Sequence, residues 1–185
     1  MEIKGTALAA IRDFVKSNHI DRYEEWLDSL PDTAKEFYSG VIDATKWYPL
    51  QEGGVIPTMK IGELFFDGDM EKCAWVAGRF SAEKALTGIY KIFVKAASPG
   101  YLIERASRIF TTYYQPCEME VTEKGTGHAY MVIRKMEMSH EVIEYRIAGW
   151  VQKALEISGA KDVEVKFPKS KARGDSTTEI DINWS

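Results

Sequence analysis

Residues Ser139–Trp184 read SHEVIEYRIAGWVQKALEISGAKDVEVKFPKSKARGDSTTEIDINW. Ile143, Ile147, Trp150, Val151, Ala154 and Leu155 recur at helical spacing and form one apolar stripe. Ser139 is a capping residue at the start, and Gly159 is a stop residue at the end. From Val163 the period changes to two. Val163, Val165 and Phe167 alternate with charged neighbours, and after Gly174-Asp175 so do Ile180, Ile182 and Trp184. A helix followed by a hairpin with one apolar face has to bury that face under other elements, which makes the fold α+β. The inward positions are apolar and contain no nucleophile, metal cage or phosphate loop. That pattern favours a binding or sensor-like domain over an enzyme.

The same period-two pattern occurs once more upstream. Cys117, Met119 and Val121 alternate with polar residues, Lys124–Gly127 makes a turn, and Ala129, Met131 and Ile133 continue on the return strand. The two hairpins predict a four-stranded antiparallel sheet, in the order hairpin, helix, hairpin, with the N-terminal helices covering its apolar face. Helical spacing predicts helices over 6–18, 21–29, 32–39 and about 55–66. Asp67-Gly68-Asp69 then breaks the chain, and Asp69 is the N-cap of a long helix from Met70 to about Ala96. Gly78 and Gly88 lie inside that helix at a cost of about 1 kcal/mol each against alanine, which points to close helix approach or a bend. Ser98-Pro99 starts a further helix, and Pro116 stops it. Trp47-Tyr48-Pro49 is extended, because the residue before proline is pushed out of the α region. The chain reads as a single domain, 1–185, made of a helical N-terminal extension, 1–44, and a ligand-binding-like part, 45–184.

The net charge is −4, from 24 basic and 28 acidic residues, which argues against nucleic acid as a partner. Cys73 and Cys117 are far apart and in no C-x-x-C frame, so they read as free thiols in a reducing compartment. The first residues lack the pattern of a signal peptide, and no run reaches the ~18 apolar residues of a membrane helix. A soluble, cytoplasmic protein is expected.

Candidate chemistry is sparse. Cys117 with His128 or His140 is the one nucleophile reading, weighed against a buried structural thiol. Asp67-Gly68-Asp69 reads as a capping turn rather than a cation site, and Gly125-x-Gly127 lies between two strands, where no helix N-terminus is offered to phosphate. The aromatic residues carry more information. Trp75, Tyr90, Tyr113 and Trp150 lie on the helices that roof the sheet, and tyrosine and tryptophan combine apolar area with a polar handle. Arg79 is a charge amid apolar neighbours on the long helix, suited to a ligand carboxylate or phosphate or to a structural ion pair. These five are the candidate ligand-binding residues; no catalytic or metal residues are assigned.

Tyr48-Pro49, Gly78-Arg79, Ser98-Pro99, the first hairpin, the run GWVQKALEISGAKDVEV at 149–165, Ala172-Arg173-Gly174-Asp175 and the closing Ile182-Asn183-Trp184 together resemble one superfamily. It contains the 4-vinyl reductase-like domains, the haem NO-binding domains and the Bet3-like subunits of the transport protein particle; a myxobacterial family of uncharacterised proteins is similar as well. The resemblance spans roughly 45–184 and implies a hydrophobic ligand cavity between helices and sheet. Residues 168–178 lack the cysteines of many 4-vinyl reductase-like domains. Haem NO-binding domains use a proximal histidine and a Tyr-x-Ser-x-Arg motif, and neither appears: the histidines are His19, His128 and His140, none of them in the helix stretch 70–115. Neither haem nor a cysteine-bound metal is therefore expected. The expected function is non-enzymatic binding or sensing of a hydrophobic small molecule in bacterial or archaeal signalling, by a homodimer acting on an unknown effector protein. The alternative is a Bet3-like assembly module that docks through residues 1–44.

Overall fold

The structure is a computed structural model describing residues 1–87, 98–137 and 140–185. Among these residues the chain forms seven α-helices: α1 Gly5–Asn18, α2 Tyr23–Asp28, α3 Asp32–Ser39, α4 Ile56–Phe65, α5 Met70–Thr87, α6 Pro99–Phe110 and α7 Glu141–Ile157. The seven strands are β1 Glu2–Lys4, β2 Trp47–Pro49, β3 Tyr114–Gln115, β4 Glu118–Gly125, β5 His128–Lys135, β6 Glu164–Lys169 and β7 Thr178–Asn183. Strands β4 to β7 make a four-stranded antiparallel sheet in the order β4-β5-β7-β6. The α+β class, the four strands and the hairpin–helix–hairpin order agree with the sequence reading. Met119, Ala129, Met131, Ile133, Val165, Ile180 and Ile182 are buried, the alternate positions that period two requires.

A second sheet, β2-β1-β3, is absent from the sequence reading. It pairs Ile3 with Tyr48 on one side and Tyr114 on the other, bringing three distant segments together. Strands of two or three residues are too short to show a period, so only Trp47–Pro49 was legible, as extended chain. In the N-terminal helices Trp26 Nε1 donates to Pro57 O at 3.2 Å and Tyr38 Oη to Gly53 O at 2.7 Å, so both fully buried aromatics satisfy their polar atoms.

Helix starts follow the sequence in part. Asp69 Oδ1 accepts from Lys72 N at 2.9 Å, and Ser98 Oγ accepts from Tyr101 N. Helix α7 is capped by His140, whose ring accepts from Val142 N at 3.3 Å; Ser139, the expected cap, lies outside the described residues. So do Gly88, Tyr90 and the expected continuation of α5 to Ala96. The Gly174-Asp175 turn is wider than expected, because a 3-10 turn, Lys171–Arg173, precedes Gly174 at φ +99°.

Helices α5 and α7 cross at backbone contact. A Cβ on Gly78 would stand 2.1 Å from Arg146 O, and one on Gly149 would stand 2.1 Å from Trp75 O. Of the two explanations for glycine inside the long helix, close approach applies at Gly78. Alanine is intrinsically the better helix former by about 1 kcal/mol, so the clash has to outweigh that gain before a substitution destabilises. Because the atom met is backbone, one helix must move, and overpacking of this kind typically costs 1–3 kcal/mol. Gly149→Ala and Gly78→Ala are therefore expected to lower the melting temperature by several degrees each. Gly100→Ala, where the added Cβ meets nothing within 4 Å, should leave it unchanged or raise it slightly. A Gly149→Ala melting curve that matches the Gly100→Ala curve would show that this contact does not set the crossing.

Candidate functional site

Beside the crossing, α1, α5, α6 and α7 enclose a cleft of about 370 Å³. Ala7 and Ala10 of α1 and Ala85 of α5 give it a small-residue wall. Phe110, Tyr113 and Tyr114 come from the end of α6 and the chain after it, and Ile147 and Trp150 from α7. The aromatic side is interlocked: the Phe110 and Trp150 rings meet edge-on with centroids 5.6 Å apart, and Tyr113 lies 6.3 Å from Trp150. Such a lining, with few polar groups, is the usual composition of a small-molecule pocket, and the volume is at the lower end of the range for such pockets.

The polar groups of the lining are Thr6, Asp13, Ser81, Lys84, the two tyrosines and Arg146. Asp13 and Lys84 face one another at 3.9 Å, half-exposed. Arg146 is 4% exposed. Its Nη1 donates to Thr58 Oγ1 at 3.1 Å and its Nη2 to Ser81 Oγ at 3.5 Å, while Nε has no hydrogen-bond partner. Burial pushes the Tyr113 and Tyr114 hydroxyls above their ordinary pKa, and the Arg146 charge partly opposes this at Tyr114.

The structure places Tyr113 and Trp150 in this lining and Trp75 and Arg79 elsewhere; Tyr90 lies outside the described residues. Trp75 and Arg79 are four residues apart and so share a helix face. That face meets α7 on the side away from the cleft. Trp75 Nε1 and Arg79 Nη1 both donate to Gln152 Oε1 at 2.7 Å, and Arg79 makes a two-pronged pair with Glu156 at 2.8 Å. The cleft instead receives Gly78, which the sequence reading marked for helix approach and not for the site, Ser81 and Ala85, which it did not single out, and Arg146, which it missed.

A second hollow, of about 400 Å³, lies between α6 and the first hairpin. Its lining is rich in charged side chains, Arg108, Glu118, Glu120 and Arg134, with Cys117 and Met119 among them. Burial first, and then Glu118, push the Cys117 thiol up to about 11; burial pushes Cys73 up to about 12. His128 bonds Asp181 at 3.0 Å, and the His140 ring is occupied by its helix cap.

Solved structures similar to this chain include H-NOX proteins. One from S. oneidensis in the Fe(II)NO ligation state has TM-score 0.76 and 11% identity, covering 99% of both chains. One from K. algicida, Fe(II) unliganded, has TM-score 0.73 and 11% identity, covering 99% of this chain and 97% of the other. A third, from work on haem distortion in the H-NOX family, has TM-score 0.72 and 12% identity over 99% and 95%. At this identity the likeness establishes the fold. The 4-vinyl reductase-like and Bet3-like parts of the resemblance find no support in these matches.

The expectation that haem is excluded is corrected by the same finding, since the fold covering nearly the whole chain is that of a haem-binding family. That exclusion rested on a missing proximal histidine and a missing Tyr-x-Ser-x-Arg motif, whereas the cleft draws its lining from positions between Thr6 and Trp150. A missing motif does not define what a site assembled from four helices can hold. The search of curated proteins found no match. Residues 77–185, more than half of the sequence, match the family described as protein of unknown function DUF2378, and the chain belongs to that family.

Proposed function

We propose that this chain is a non-enzymatic sensor-type domain that holds a small, largely apolar molecule in the cleft between α1, α5, α6 and α7. The observation that carries this reading is the cleft itself: a mostly apolar, aromatic-lined space with several inward polar groups, in a fold shared with H-NOX proteins, one of them solved in the Fe(II)NO ligation state and another in work on haem distortion. A homodimer and a separate effector belong to the same proposal, because a binding domain reports its state only through something it contacts.

Haem is one of the ligands to test. In its favour, the cleft offers apolar walls and a buried arginine suited to a haem carboxylate. Among the axial ligands haem iron commonly takes, tyrosine is available in the described lining, at Tyr113 and Tyr114. A bound haem would supply an iron centre for a further small ligand. The test is native mass spectrometry of protein purified from cells grown with haem precursor, combined with absorbance spectra before and after denaturation. A molecule released only on unfolding is the expected result, and a Soret band would identify it as haem. Protein that carries nothing and gains no thermal stability from haem or from a panel of apolar compounds would overturn the reading.

A thiol enzyme is the rival. It needs a thiolate beside a base, yet no hydrogen bond joins Cys117 to either His128 or His140 among the described residues, and its pKa is raised rather than lowered. Alkylation of Cys117 by iodoacetamide is expected to be slow at pH 7.5. It should quicken roughly tenfold per pH unit up to about pH 10, following the thiolate fraction. Fast, pH-independent labelling near neutrality would revive the enzyme reading.

A further inference from the structure

We propose that the ligand of the cleft carries a carboxylate, and that Arg146 is its anchor. This rests on the binding reading above and names the ligand class. Arg146 is on the central helix α7, is 4% exposed, and belongs to the lining of the cleft together with Ser81 and Tyr114. An arginine carries five N–H donors and a permanent charge. Here two hydrogen bonds are made, both to neutral hydroxyls, the second at 3.5 Å, and Nε has no protein partner. No carboxylate stands within ion-pair distance of it among the described residues. Arg79, on the facing helix, is the contrast: it is more exposed and fully paired with Glu156. Burying a cation against apolar walls without a counter-charge is costly, and a chain with no use for the charge would be more stable with a methionine or leucine at that position.

The class of anion follows from the donors. A guanidinium fork matches the two oxygens of a carboxylate. Phosphate needs more donors and more charge than Arg146 provides, and Lys84, the other cation of the lining, faces Asp13. Tyr114, buried and near enough to feel the Arg146 charge, adds a phenolic O–H for the same group. The rest of the lining is mostly apolar in surface, apart from Thr6, Tyr113 and the facing Asp13 and Lys84, so the body attached to the carboxylate is mainly apolar too: an aliphatic or aromatic acid, or a porphyrin bearing carboxylate side chains.

The test compares octanoate with 1-octanol by calorimetry on the full chain, with haemin as a third arm read by absorbance. The acid should bind at least tenfold tighter than the alcohol, the size of effect a charge-assisted hydrogen bond gives. Arg146→Met should remove that preference, weakening octanoate far more than octanol, with the melting temperature unchanged or raised. Arg146→Lys, which keeps the charge and loses the fork, should retain part of it and serves as the second variant should Arg146→Met fail to fold. If haemin binds and octanoate does not, the porphyrin is the source, and Arg146→Met must then weaken haemin for the inference to stand. Equal binding of acid and alcohol, or a haemin affinity unmoved by Arg146→Met, overturns the anchor and leaves the cleft reading standing. Failure of all three probes to bind overturns both.

Discussion

The backbone contact between α5 and α7 is the constraint on which the rest of this structure depends. Gly78 and Gly149 each press a bare Cα against a carbonyl of the opposite helix, and no larger residue fits at either place while the helices stay where they are. With the crossing fixed, the residues around it are sorted into two sides. Trp75 and Arg79 turn toward Gln152 and Glu156 and tie the helices together through polar contacts. Ser81 and Ala85 turn the other way, toward α1 and the aromatic end of α6, where space opens into the cleft. The site is thus the space left over by a packing decision made at two glycines.

Helix α7 carries a pair of buried charges, and their different fates separate structure from function. Glu144 accepts hydrogen bonds from the Ser170 and Thr178 hydroxyls and from Ala172 N, so it fastens the helix to the loop between β6 and β7. Two residues further on, Arg146 points in another direction, because positions i and i+2 do not share a helix face. Its protein partners are two hydroxyls, one of them distant. A carboxylate held by several donors is a completed structural contact. A guanidinium held by two, in the wall of a cleft, still has donors to offer.

Much of the fold was legible in the chain because it is written in periods and punctuation. The alternation of Met119 with its neighbours, of Ala129, Met131 and Ile133, and of Ile180 and Ile182 located the sheet; Asp69, Ser98 and Gly159 marked helix ends. What was illegible has physical reasons. The sheet of β1, β2 and β3 rests on strands of two and three residues that bring distant segments together, and no local pattern encodes that. The cap at His140 uses a ring nitrogen where a hydroxyl is the usual acceptor. For the site, the sequence located aromatic residues on the roofing helices but not which way each one faces, so Tyr113 and Trp150 lie in the cleft lining while Trp75 lies outside it. Arg146 was passed over because α7 was read as an amphipathic helix with one apolar stripe. The run IAGWV immediately after Arg146 shows that the helix is buried nearly all round, and in such a helix every charge is worth questioning.

A molecule in this cleft touches four helices at once, and this makes a sensor role physically coherent. A ligand shifts a protein between states only by the difference in its affinity for them. An occupant that met a single rigid wall would have little to discriminate. Here one wall is the α5–α7 crossing, locked by glycines. The opposite walls are α1, whose N-terminal neighbour β1 holds β2 and β3, and the end of α6, which runs into β3. In the sensor reading proposed above, a change in how α1 and α6 close over an occupant would act on the small sheet that joins them. The three-stranded sheet, invisible in the sequence, is what joins the two cleft walls that lie outside the α5–α7 crossing.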